Sequence, residues 1–277
     1  MRTFETTGPV RATVENACGE VVVDTTDAPT TEVEVTPLRD DERSREAAAN
    51  TLVELRPRGE RSDLVVEVPH RGGGSFFGRE PQVRVAVRLP HGSDLRVTTA
   101  SADVRANGRF GEVRGKTASG DVSVGQAERV RVESASGDLR VDEVDGDADL
   151  KSVSGDVSAG RIGGTLSGTV VSGSLRVDSV ERGGSANAVS GDVDLGSVRE
   201  GEVALRTVSG DVTIGVREGS RVHVDVTTVS GDLRSDLDLS DEPGSAGDGP
   251  LVEIRGRTVS GDLRVRRGRG TTAPSMA

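Results

Sequence analysis

Trp and Tyr are absent from the chain, and Phe occurs only four times in 277 residues. Without large flat side chains, neither an aromatic-packed helical bundle nor the sugar-stacking platform of a polysaccharide-cleaving β-helix is expected. A lone cysteine, Cys18, excludes an internal disulfide framework. It sits where later segments carry Ser, and reads as a small buried residue rather than a reactive thiol. Positive charge is also scarce: Lys+Arg total 35 against 46 Asp+Glu, a net charge of −11. Such a surface repels phosphate backbones, so nucleic acid is not an expected partner. No stretch approaches 18 apolar residues, and Met1 to Pro9 holds no apolar run of an export signal. The expectation is a soluble cytoplasmic protein, with peripheral attachment at the inner membrane surface as the membrane-linked version.

Proline is missing from residues 91–242. That absence suits a region where every strand N–H is needed by a neighbour. What fills it is a repeat. Ser-Gly-Asp begins at Ser119, Ser136, Ser154, Ser190, Ser209, Ser230 and Ser260, with degenerate copies at Ser101 and Ser172. From Ser101 the starts are 18, 17, 18, 18, 18, 19, 21 and 30 residues apart, a structural period with two late insertions. An apolar residue follows every slot, from Val104 and Val122 to Leu233 and Leu263, and another comes two positions later except at Ser235. This period-2 alternation describes a strand with one buried face, and a second short strand such as Ala148 to Leu150 fits in each period. Coils of about 18 residues stacked at the strand spacing of about 4.8 Å bury a column of Val, Leu and Ile that one coil cannot bury alone. The fold class is therefore all-β, a β-solenoid of stacked coils of about 18 residues with an N-terminal cap containing one short helix.

Within the motif, Gly answers a corner that needs positive φ or close backbone approach. Ser and Asp are able to bond nearby backbone groups, and Asp is expected to be solvated and replaceable. Stacked carboxylates repel by about 0.9 kcal/mol per neighbouring pair in water. Arg140, Arg176, Arg234 and Arg264 follow the slot leucines and are placed to offset it.

Outside the repeat, residues 1–91 read as irregular first coils and a cap, with a helix near residues 40–50 opened by Asp40, Asp41 and Glu42. Residues 92–267 form the solenoid, and 268–277 a disordered tail. The glycine-rich segment from His70 to Glu80 holds Phe76 and Phe77, half of the aromatics. They read as a hydrophobic plug or as a contact for a protein partner or membrane, and are the candidate partner-binding residues. Asp236 to Pro250 is an acidic loop, and the arginines of Arg264 to Arg269 are expected to shield the last edge strand.

Catalytic chemistry finds no foothold. His70, His91 and His223 lack metal-ligand spacing or a nucleophile partner, and the Gly-Gly-x-Gly-x-Asp nonapeptide of calcium β-rolls is not matched. No catalytic, cofactor-binding or metal-binding residue is assigned, no cofactor or small-molecule substrate is expected, and weak calcium binding stays open.

The repeated Ala118-Ser119-Gly120-Asp121-Val122-Ser123-Val124 and Val208-Ser209-Gly210-Asp211-Val212-Thr213-Ile214 resemble the bacterial "putative adhesin" or Toastrack domain of unknown function. The resemblance implies a right-handed β-solenoid, no established catalytic residues, and a link to cell-envelope stress and membrane-associated regulators. The expected function is a non-enzymatic cytoplasmic interaction scaffold. A self-assembling protein like the bactofilins and an exported surface adhesin are the alternatives.

Overall fold

The computed structural model describes residues 1–59, 61–69, 80–237 and 249–268. Its contacts divide the chain into two compact units, residues 1–141 and 142–277. The first unit contains β1 (Arg2–Glu5), β2 (Val10–Asn16), β3 (Gly19–Thr26), β4 (Thr30–Pro37), α1 (Glu42–Ala49), β5 (Leu52–Arg58), β6 (Arg61–Glu67), β7 (Val83–Pro90), β8 (Ser93–Thr99), β9 (Asp103–Thr117) and β10 (Val122–Ser134). β11 (Leu139–Val144) spans the division.

The helix forms where the acids and alanines predict it, a turn shorter. Asp41 caps it by accepting from the Ser44 N–H at 2.8 Å, which satisfies an otherwise orphaned donor. Ser44 is buried and its Oγ accepts from the Gln82 N–H at 3.1 Å, tying the helix to the segment that enters β7.

In this unit the strands stack in two parallel columns. One runs β6, β2, β8 and the later part of β9 and β10; the other runs β7, β3 and their earlier part. β5 closes on β6, β4 on β7 and β1 on β4, all antiparallel. The first coil of the chain, β2 and β3, is thus an inner layer.

The second unit contains β12 (Ala148–Ser152), β13 (Val157–Ile162), β14 (Leu166–Ser172), β15 (Leu175–Val180), β16 (Gly184–Ser190), β17 (Val193–Val198), β18 (Gly201–Ser209), β19 (Val212–Val216), β20 (Arg221–Ser230), β21 (Leu233–Ser235), β22 (Leu251–Ser260) and β23 (Leu263–Arg267). All its ladders are parallel: β12, β14, β16, β18, β22, β20 in one column and β13, β15, β17, β19, β23, β21 in the other. Inward rows fall in register, as in Val157, Leu175, Val193, Val212 and Leu263, all buried. Each such side chain contributes about 1.5–3 kcal/mol when fully covered.

Chain order fails at the end of this stack. The last coil, β22 and β23, inserts between β18/β19 and β20/β21 instead of following them. Side-chain chemistry explains the choice. Val252, Ile254, Leu263 and Val265 make a complete apolar row and are buried, whereas the displaced coil carries Ser235 at the broken position and leaves Leu233 half exposed. Arg264 to Arg267 therefore do not shield an edge strand: β23 is paired on both sides. Arg264 instead binds Asp236 at 3.0 Å and Arg266 lies 3.5 Å from Asp194.

Candidate functional site

The Ser-Gly-Asp corners organise the outer surface. Six of the corner aspartates reach one layer along the stack. In the first unit Asp103 Oδ1 accepts from the Asp121 N–H at 3.2 Å, and Asp121 Oδ1 from the Asp138 N–H at 2.9 Å. In the second, Asp156 accepts from Ser174 at 2.8 Å, and Asp192 from Asp211, Asp211 from Asp262 and Asp262 from Asp232, each at 2.9 Å. The carboxylates are solvent-exposed, as the sequence suggests, but each satisfies a backbone donor of its neighbour. An ionised acceptor strengthens such a bond and offsets the repulsion along the column. Among the described residues, no group of three or more His, Cys, Asp or Glu is placed to hold a metal ion.

Two corner geometries occur. In one, a buried hydroxyl three residues upstream accepts the glycine N–H: Thr117 from Gly120 at 3.0 Å, Ser134 from Gly137 at 2.8 Å, Ser152 from Gly155 at 2.9 Å. In the other, Gly173, Gly191, Gly210, Gly231 and Gly261 take φ between 128° and 151°. There the N–H of Gly173, Gly191, Gly210 and Gly261 turns to a Ser carbonyl of the adjacent coil. Val170 and Ala188 stand at the upstream position in two of these corners and offer no hydroxyl. Thr207 and Thr258 do offer one, and their buried Oγ1 atoms have no partner among the described residues.

Immediately before the corner, the side chain points outward. In the second unit this position is valine in every coil: Val153, Val171, Val189, Val208, Val259 and Val229 in stacking order. Every one is exposed, Val208 at 50% and Val229 at 80%. They form an apolar ridge with the aspartate column on one side and Lys151, Arg206 and Arg257 among the outward residues on the other. In the first unit Ala100, Ala118 and Ala135 take the same exposed position. The Ala/Val-Ser-Gly-Asp motif carried this signal: that residue lies an even number of positions from the strand's outward-facing side chains.

The remaining candidates are dispersed. Phe76, Phe77 and His70 lie outside the described residues. Cys18 is half-buried rather than buried, because it occupies a corner between β2 and β3; its Sγ lies 3.7 Å from Ser101 Oγ. His91 Nδ1 shares a 2.8 Å hydrogen bond with Thr25 Oγ1, and His223 stands exposed on β20. A groove of about 320 Å³ crosses the outer face of β3, β4 and β7. Its Arg88 and Arg84 are already paired, to Glu32 at 2.8 Å and Glu20 at 3.4 Å. Elsewhere Arg217 grips Glu181 with two bonds of 2.9 and 3.0 Å, holding its carboxyl below the usual range, with Arg199 and Arg161 adding to the effect. No helix among the described residues is long and apolar enough to cross a membrane.

The family model described as Toastrack DUF4097 matches residues 14–266. Solved structures similar to the chain include a "putative adhesin" from Bacteroides fragilis at 11% identity, covering 95% of each chain with a TM-score of 0.44. Another, from Parabacteroides distasonis, has 13% identity, 95% coverage of both chains and a TM-score of 0.45. A "putative lipid binding protein" from the same species gives 14%, 95% of both and 0.38. Comparison with curated proteins finds no match.

Proposed function

The chain belongs to the Toastrack family, and from that premise we propose that it is a non-enzymatic interaction scaffold whose recognition surface is the valine ridge of residues 142–277. The observation that carries this reading is the ridge itself. Six valines in register stay in water although the adjoining inward rows bury theirs. An exposed apolar row of that length is costly on a surface this charged unless a partner covers it. The regular spacing suits an extended protein segment with apolar residues at intervals and basic groups for the aspartate column. The winding is taken as right-handed with an 18-residue coil, and the setting as cytoplasmic, at the membrane face of an envelope-stress or regulatory assembly.

The test is affinity capture from the source cell with wild type and with Val171→Ser, Val189→Ser and Val208→Ser combined. A protein retained by wild type and lost from the variant, at unchanged melting temperature, supports the reading. Equal retention contradicts it, and retention of a glycan alone favours the adhesin alternative.

A further inference from the structure

The stack of the second unit ends on β20, and among the described residues β20 pairs with β22 alone. Ten residues long, it contains neither Pro nor Lys, and its charged residues are Arg221 and Asp225, both on the outward face. Its inward residues Val222, Val224 and Val226 remain partly exposed, while Val252 and Ile254 beneath them are fully buried. The backbone edge has a definite polarity. Arg221 N–H donates to Pro250 O at 2.9 Å, toward β22. By the alternation of a strand, the N–H and C=O groups of Val222, Val224 and Val226 then point away from β22, to the open edge.

We propose that this edge is the interface for a second copy of the chain, with β20 pairing antiparallel to its twin about a twofold axis at Val224. This register sets Val224 opposite Val224, Val222 opposite Val226, and His223 opposite Asp225. The backbone groups of all three valines find partners, and no like charges oppose each other. A twofold at Asp225 would set two carboxylates face to face, and one at His223 would overlap only the five residues from Arg221 to Asp225. The self-complementarity is that of an isologous interface. The pairing runs from Arg221 to Thr227 and leaves Val229, the one ridge valine on β20, outside it, so either reading stands or falls without the other.

Sedimentation equilibrium on the full chain is expected to show a dimer, and Val224→Lys a monomer that keeps the β circular-dichroism spectrum and melts lower because association no longer stabilises the fold. In a Cys18→Ser background, Val224→Cys places two thiols at the axis. Mild oxidation is then expected to give roughly ten-fold more covalent dimer than Val226→Cys, whose twin lies opposite Val222. A wild-type monomer at all concentrations overturns the proposal. So does a dimer in which Val226→Cys cross-links as well as Val224→Cys, since the register would then be wrong.

Discussion

Asp211 Oδ1 accepts a hydrogen bond from the backbone N–H of Asp262 at 2.9 Å, across 51 residues of sequence. The same residue's own N–H donates to Asp192 Oδ1 at 2.9 Å. The pair fixes both the role of the motif's aspartate and the place of the last coil.

Replacing the acceptor should therefore matter more than replacing the charge. Asp211→Ala is expected to lower stability by about 1 kcal/mol, because the Asp262 donor loses its partner. Asp211→Asn keeps a carbonyl oxygen in place and should lose less. Urea melts of the two variants check the ranking, and equal losses would show that charge alone acts.

The two corner types make opposite demands on their hydroxyls. Thr117→Val strands the buried Gly120 N–H and is expected to cost about 1–3 kcal/mol. Thr258→Val removes a buried hydroxyl that has no partner among the described residues and should be neutral or stabilising in the same melts.

At the positive-φ corners the glycine is needed twice over. Gly210 has φ 137°, and a Cβ there would overlap the Gly191 carbonyl oxygen. Gly210→Ala is expected to cost at least about 1–3 kcal/mol by thermal melting. Val208→Ala, two residues away on the exposed ridge, should stay within about 0.5 kcal/mol.

Acid should find a specific weak point in the second unit. The hydrogen bonds from Arg217 lower the folded-state pKa of Glu181 relative to the unfolded chain. That contribution is complete above the ordinary Glu value of about 4.3 and is lost as pH falls through the lower folded value. Glu181→Gln is expected to reduce stability at pH 7 and to flatten the acid limb of the melting profile, whereas a parallel downward shift at every pH would contradict the linkage.

Ending the chain at Asp248 removes an inner layer rather than a terminal one. Amide exchange at His223, Asp225 and Thr227, whose N–H groups face β22, should then accelerate by on the order of 100-fold. Retained protection would mean that β20 stacks directly on β18, in chain order.

Strand positions are legible in the sequence because period-2 alternation and the 18-residue spacing depend on each coil's own residues. The helix is legible from Asp41 and the run Ala47 to Ala49. Coil order is not: every coil presents the same motif to its neighbours, so any two can stack, and the difference between Val265 and Ser235 decides only when burial is compared across layers. The aspartate's partner is hidden for a related reason, since a backbone N–H one layer away has no signature in sequence. The outward valines are visible as letters of the motif, but their exposure follows from the strand's direction of pleat. Phe76 and Phe77, singled out for their rarity, lie outside the described residues and stay untested.

The claim that the ridge is the recognition surface is tested most directly by a photoreactive phenylalanine analogue installed in living cells, separately at Val171, Val189 and Val208 and, as a control, at outward-facing Thr213. The account predicts that the three ridge positions cross-link to one common protein of different mass from this chain, and that Thr213 does not. Cross-linking that is absent at all three, or no stronger than at Thr213, would contradict it.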